Sequence, residues 1–222
     1  MKAIALLGGP QEEWPQEIVA DIKKARKEGV LIMASDRGSL FLLQLGIVPD
    51  VALGDYDSLS FEEREKVERK VQDMRYSNPI KDFTDSEMLF YAAFVDYQVE
   101  NLTIYGATGG RLDHFLVNLY AVLKPPFNRF AEKIKFIDKQ NLIRFFKEGK
   151  HIIAYNAAYK YLGIGTLTPV QNFYIKNARY DLAKTDLSAP TMYSSNEYLE
   201  GQNIEIGCRA GTLIVINSRD KK

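Results

Sequence analysis

Val51-Ala52-Leu53-Gly54-Asp55-Tyr56-Asp57-Ser58 is an apolar run that ends in a glycine, two acids one position apart and a hydroxyl. The first three residues read as a short buried strand and the rest as the loop after it. Two carboxylates ~6 Å apart repel by roughly 2–3 kcal/mol at protein-like dielectric. Folding alone does not offset that repulsion, whereas a divalent cation between oxygen ligands does. Asp55 and Asp57 are therefore candidate magnesium ligands, and this strand with its acidic end sets the pattern for the rest of the first half.

Working outward, the same unit recurs. A buried strand over 3–7 ends at Gly8-Gly9-Pro10. Ile18, Ile22 and Ala25 at helical spacing predict a helix over 15–27, stopped by Gly29. A strand over 30–34 ends at Ser35-Asp36-Arg37-Gly38, and a helix over 39–45 stops at Gly46. Val67 and Val71 mark the narrow apolar stripe of a charged helix over 61–74, and a brief strand follows near Tyr76. Thr84 and Glu87 have capping-box spacing, which starts a helix running to about residue 97. A strand over 102–105 runs into Gly106-Ala107-Thr108-Gly109-Gly110, and a helix over 112–123 ends at Lys124-Pro125-Pro126. This alternation predicts a mostly parallel sheet with helices on its faces. Ligands bind such sheets at the carboxyl ends of the strands. Each polar or glycine-rich cluster follows a strand, so all of them converge on one sheet edge.

The second half changes period. Strands are expected at 135–137, 142–146, 151–154, 159–164, 173–175, 203–206 and 212–216, with turns at Glu148-Gly149, Asn177 and Ala210-Gly211. A β-sandwich fits this pattern. The class is α/β plus all-β, with the boundary between residues 124 and 131 and domains of 1–126 and 131–222.

Composition narrows the function. Hydrophobic residues make up 46% of the 222, enough for a sizeable core. Acids and bases balance at 29 each, so no strong field attracts nucleic acid or an anionic membrane. The single cysteine, Cys208, cannot form an internal disulfide, which fits a cytoplasmic protein. No signal peptide and no apolar run of membrane-spanning length is evident.

Four carboxylates, Asp55, Asp57, Asp82 and Asp85, lie on two neighbouring strand-end loops. Oxygen ligands suit magnesium or calcium, and with only His114, His151 and Cys208 a zinc site is disfavoured. Asp85, beside the N-cap Thr84, also reads as a simple helix-capping acid. Gly106-Ala107-Thr108-Gly109-Gly110 looks like an anion cradle ahead of a helix N-terminus, with Arg111 as a bidentate phosphate donor. It lacks the Gly-Lys-Ser/Thr ending of a P-loop, and the bland alternative is an ordinary glycine-rich loop. Lys81 either neutralises phosphate charge or pairs with Asp82. Asp113 and His114 orient a substrate group or simply suit the opening turn of a helix.

As a set these motifs resemble the bacterial thiamine pyrophosphokinases. The resemblance rests on Asp36-Arg37-Gly38, Pro49-Asp50, Gly54 to Ser58, Lys81-Asp82-x-Thr84-Asp85-x-Glu87 and Gly106 to His114. Ser194-Ser195-Asn196-Glu197 and the closing Gly211-Thr212-Leu213-Ile214-Val215-Ile216 add to it. It implies a Rossmann-like α/β/α nucleotide-binding catalytic domain and a β-sandwich that binds thiamine and dimerises. It also implies a homodimer with the active site between subunits, and ATP and magnesium as co-substrate and cofactor. By residue matching, Asp55, Asp57, Asp82 and Asp85 are catalytic, with Asp55, Asp57 and Asp85 on the metal. Asp36, Arg37, Gly38, Lys81, Thr108, Gly109, Gly110 and Arg111 match ATP-binding positions. Thr84, Asp85, Asp113, Ser195 and Asn196 match thiamine-binding positions, the last two on a sandwich-domain loop reaching from the partner subunit. The stretch 173–182 is less glycine-rich than usual, and Gly163-Ile164-Gly165-Thr166 replaces a more apolar run. The implied reaction transfers a pyrophosphoryl group from ATP to thiamine. Rival readings are a magnesium-dependent nucleotide transferase or hydrolase with another acceptor, and a non-catalytic thiamine or nucleotide sensor.

Overall fold

Lys-Ala-Ile-Ala-Leu has no polar face beyond its first residue, and it forms the central strand β1 (Lys2–Leu6) of a parallel sheet. The computed structural model describes residues 1–76 and 83–220. The chain divides into two compact units, Met1–Lys139 and Gln140–Lys222.

In the first unit β1 pairs with β2 (Leu31–Ser35) on one side and β5 (Asn101–Tyr105) on the other. Beyond β2 lie β3 (Val51–Gly54) and β4 (Asp73–Tyr76), and beyond β5 lies β6 (Ile134–Ile137), all parallel. The strands β2 and β3 are buried at every position, the signature of a sheet covered on both faces. Helices α1 (Ile18–Lys27), α2 (Arg37–Gln44), α3 (Phe61–Glu68), α4 (Asp85–Tyr91) and α5 (Leu112–Ala121) connect them. Ile18, Ile22 and Ala25 of α1 pack with Leu6, Ile32, Leu42 and Tyr105. Val67 and Val71 pack with Leu40, Ala52 and Tyr56. The chain builds β1 to β4 outward in one direction, then returns to place β5 and β6 on the far side of β1. The strand order therefore reverses between β1 and β5, where a crevice opens at the carboxyl ends.

Three details differ from the sequence expectation. The helix after Ser60 starts on a complete capping box with Glu63 but stops at Glu68, because Asp73–Tyr76 is drawn into parallel pairing with β3. The helix capped by Thr84 is α-helical only to Tyr91 and continues as a π turn over Ala92–Asp96. Ile134–Ile137, read above as the start of the all-β half, completes the parallel sheet beside β5, so the division falls after Lys139 and not between 124 and 131. Asp50 sits at the amino end of β3, where it accepts the Ile32 N–H (2.7 Å) and pairs with Arg26 (2.5 Å). Its work is structural.

The second unit holds two antiparallel sheets. One has the order β12 (Met192–Glu197), β9 (Tyr161–Thr166), β14 (Leu213–Ser218), β7 (Asn141–Phe146). The other has the order β11 (Leu182–Leu187), β10 (Val170–Lys176), β13 (Ile204–Cys208), β8 (Gly149–Ile153). Ile164, Leu213 and Val215 of the first share a core with Phe173, Ile175, Ile204 and Ile206 of the second. Strands β11 and β12 escape the sequence reading because both are terminal in their sheets and largely polar. No helix among the described residues is long and apolar enough to cross a membrane.

Candidate active site

The carboxyl ends of β1, β2, β3 and β5 and the first turns of α4 and α5 line one cleft of about 910 Å³. Its floor lies at the strand-order reversal. There the Gly9 N–H donates to the Gly106 carbonyl (3.0 Å), and the Trp14 indole N–H donates to the Gly9 carbonyl (3.2 Å). The β1 and β5 loops are thereby fastened to each other. Gly38 lies buried in the first turn of α2, where a Cβ would fall 2.1 Å from the Leu6 carbonyl oxygen. Its role is to let α2 lie directly on β1, and it is not part of the cleft lining.

Asp36 is held by unusual backbone. Its φ is +43°, a conformation that costs a non-glycine residue of the order of 1–3 kcal/mol. Its N–H donates to the Leu53 carbonyl (2.9 Å), and its Oδ1 accepts the Tyr56 N–H (3.1 Å). The opposing Gly54 has a φ of +143°, and a Cβ there would lie 1.9 Å from Asp36 Oδ1. Tyr56, itself at φ +58°, is 2% exposed and packs its ring edge-on to Tyr76. Turning Tyr56 inward leaves Asp55 half-buried and Asp57 exposed on either side. The Asp57 N–H donates to Asp55 Oδ1 (3.0 Å). The Arg37 guanidinium donates to the Ser58 carbonyl, which ties the β2 and β3 loops together.

Asp85 is the first residue of α4. Thr84 caps that helix, and its box with Glu87 is complete in both directions. The result is a group of three carboxylates: one oxygen each from Asp36, Asp55 and Asp85 lies within 4.8 Å of the others. Burial, and then the charge of Asp85, push the Asp36 carboxyl up to about 8, against the pull of the Tyr56 N–H. The neighbouring Asp55 charge, followed by burial, also raises Asp57. Oxygen-only donors crowded to this degree, one of them retaining a proton for want of a counter-charge, fit a hard divalent cation. Asp57, a sequence-derived candidate for the metal, lines the cleft but stands outside the group of three, and Asp36 stands inside it.

The glycine run is partly used by the fold. The Thr108 hydroxyl donates to Asp138 (2.7 Å), and the Ala107 carbonyl accepts the buried Asn118 amide (3.0 Å). Gly110 lines the cleft and Gly109 does not. Arg111 and Asp113, both exposed, pair with each other at 2.5 Å, and that bond holds the Asp113 carboxyl below its ordinary value. Lys81 and Asp82 lie outside the described residues. Two cleft residues escaped the functional reading of the sequence, Glu87 and Lys124, which meet at 2.6 Å. Burial alone would raise the Glu87 carboxyl, but the hydrogen bonds from Lys124 and from the Thr84 N–H outweigh it and the net shift is downward. Glu87 was legible as the far end of the capping box; nothing in the sequence marked Lys124.

In the second unit Ser195 and Asn196 lie within strand β12, not in a loop. The pairing of β12 with β9 shifts register between Tyr193 and Asn196, and Ser195 has φ +59° and is exposed. Asn196 is 3% exposed. Its Oδ1 accepts the Tyr180 N–H (3.0 Å) and the Glu197 N–H (2.9 Å), and its Nδ2 donates to the Tyr180 carbonyl (2.8 Å).

Residues 22–136, more than half of the chain, match the family profile described as "Thiamin pyrophosphokinase, catalytic domain". The chain belongs to the thiamin pyrophosphokinase family. Residues 150–213 match a second profile, "Thiamin pyrophosphokinase, vitamin B1 binding domain". The thiamine pyrophosphokinase of Bacillus subtilis (strain 168) is 30% identical over 222 residues, covering 99% of this chain and 100% of the relative. A crystal structure of a thiamin pyrophosphokinase family protein from Enterococcus faecalis is 34% identical with a TM-score of 0.88, each chain covered completely. The thiamin pyrophosphokinase of Geobacillus thermodenitrificans is 28% identical with a TM-score of 0.82, covering 100% of this chain and 99% of its own.

Proposed function

We infer that this family member transfers the pyrophosphoryl group of ATP to the primary hydroxyl of thiamine, giving thiamine diphosphate and AMP. The observation that carries the reading is the group Asp36, Asp55 and Asp85, set beside the glycine-lined crevice where the strand order reverses. A bond forms between the thiamine oxygen and the β-phosphorus as the bond from that phosphorus to the AMP oxygen breaks. Such transfers depend on positioning and charge neutralisation. Magnesium, when bound, neutralises phosphate charge and contributes several kcal/mol of transition-state stabilisation. Asp36, Asp55 and Asp85 would hold it, with Asp57 adjacent. The backbone around Gly106 and Gly110 leaves room for close phosphate approach, and Arg111 exchanges Asp113 for a phosphate oxygen. The acidic cleft, with Phe83 and Phe115 in its walls, suits a thiazolium cation.

In this reading the first unit is a Rossmann-like nucleotide-binding domain, and the second is a β-sandwich that binds thiamine in a homodimer. Leu112, Leu116 and Tyr120 form an exposed apolar face on α5, of which His114, Phe115, Val117 and Asn118 line the cleft, and this supports pairing of two copies there. The engaged amide of Asn196 shapes the bulge that presents Ser195 to the partner's cleft. The free thiol of Cys208 is in keeping with a cytoplasmic location.

The test is mass spectrometry of products after incubation with ATP, magnesium and thiamine. Thiamine diphosphate and AMP in equal amounts are expected. AMP released at the same rate without thiamine, or nucleotide binding with no product, would overturn the reading.

A further inference from the structure

Lys124 follows α5 and lines the same cleft as the acids. Its side chain is 58% exposed, and its Nζ lies 2.6 Å from Oε1 of Glu87, whose side chain is only 2% exposed. The other oxygen of Glu87 is taken by Thr84, through the N–H (2.7 Å) and the hydroxyl (3.1 Å). Glu87 is thus fixed at both ends, and it holds the ammonium at the base of the helix that carries Asp85. An ammonium has three N–H donors, and Glu87 uses one. The remaining capacity faces a cleft in which Arg37 is tied to the Ser58 carbonyl and Arg111 must first leave Asp113 to meet a phosphate, whereas Lys124 can do so without giving up Glu87.

We propose that Lys124 is a phosphate-binding residue of the transfer reaction and that Glu87 is its positioning residue. The inference rests on the function proposed above. A polyphosphate brought against Asp36, Asp55 and Asp85 meets a strongly negative surface, and a cation fixed at its side reduces that repulsion throughout the reaction. A flexible surface lysine would lose side-chain entropy on engaging the ligand; one already tethered to a buried carboxylate loses less.

A bland alternative is that Lys124 serves only as the counter-charge of Glu87. Charge-neutral replacement of both partners separates the two. Lys124→Met alone strands a buried carboxylate, so it is expected to lower the melting temperature as well as function. Adding Glu87→Gln removes that carboxylate while keeping an acceptor for the Thr84 cap. The double variant is therefore expected to recover melting temperature yet remain about a hundredfold below wild type in kcat/KM for ATP, the order of a lost charge-assisted hydrogen bond. Calorimetry with an ATP analogue carrying a methylene between the α and β phosphorus atoms should show a parallel loss of affinity. Glu87→Gln alone should weaken analogue binding by less than tenfold, since the ammonium remains but is less well held. Recovery of both kcat/KM and analogue affinity in the double variant, to the level of Glu87→Gln alone, would overturn the proposal. The analogue measurement does not need thiamine, so it decides the role of Lys124 even if the wild type makes no thiamine diphosphate, an outcome that would sink the parent reading instead.

Discussion

Asp36 in the first unit and Asn196 in the second are both non-surface polar residues set by left-handed backbone, in one case its own and in the other that of Ser195. Their surroundings differ. Asn196 has its amide engaged by Tyr180 and Glu197 within its own unit. Asp36 has one N–H donor, a crowd of carboxylates and a carboxyl pushed up to about 8 by burial first and then by the charge of Asp85. The first arrangement is complete as it stands, while the second is of the kind that a bound cation would relieve. A polar cluster that is unfavourable in isolation points to a ligand; a satisfied one points to the fold.

This contrast can be broken most directly at Asp55. Asp55→Asn should lower turnover by about a thousandfold, the scale of losing several kcal/mol of metal-dependent stabilisation, while leaving the melting temperature unchanged or raised. Near-normal turnover in a magnesium titration would show that the acids are ornamental. Next is Gly54→Ala, which forces a Cβ toward Asp36 Oδ1 and strains the φ of +143°. A loss of about 2–3 kcal/mol in urea unfolding is expected, together with weaker magnesium binding. Stability lost without any change in magnesium affinity would mean that Gly54 serves folding only.

At Asn196 the expected effect is confined to the fold. Asn196→Ala should cost about 2 kcal/mol in unfolding free energy by removing buried hydrogen bonds, with magnesium affinity unaltered. A change in magnesium affinity of the same size would erase the distinction between the two regions. The last measurement is of pH. Asp36 has a folded pKa of about 8 against an ordinary 3.8, so the folded protein binds more protons between those values. Without metal, its contribution to stability is greatest below pH 4 and is lost as pH rises toward about 8. Metal binding must expel the proton, so apparent magnesium affinity should rise by about tenfold per pH unit over that window. Calorimetry in buffers of different ionisation heat would detect the released proton; no buffer dependence would count against a protonated Asp36.

Much of this arrangement was legible in the residues. Runs such as Ala3 to Leu6 and Leu31 to Ala34 are buried on both faces, so their apolar continuity announced a parallel sheet. Because parallel strands all end on one edge, the positions of Asp36, Asp55 and the glycine run followed. Other features were hidden for physical reasons. Asp36 joins Asp55 and Asp85 only through its positive φ, which no spacing rule foresees. Glu87 and Lys124 are 37 residues apart and meet through packing around Phe127, which touches both Phe83 and Phe90. Ile134 to Ile137 alternates like any half-buried strand, and only its partner β5 decides that it joins the parallel sheet. Ser195 and Asn196 occupy a polar terminal strand with a bulge, where the alternation that signals a strand is lost.

The sixth parallel strand also governs how the chain can be dissected. A cut between residues 124 and 131 would remove β6 and bare one side of β5, whose Leu102, Ile104 and Tyr105 are buried in the intact protein. An unpaired apolar edge of that kind recruits other chains. A fragment ending there should aggregate even though it retains every described acid of the cleft, whereas one ending after Lys139 keeps β5 covered. The cover that β6 gives β5, and not the last functional residue, sets the shortest piece worth expressing.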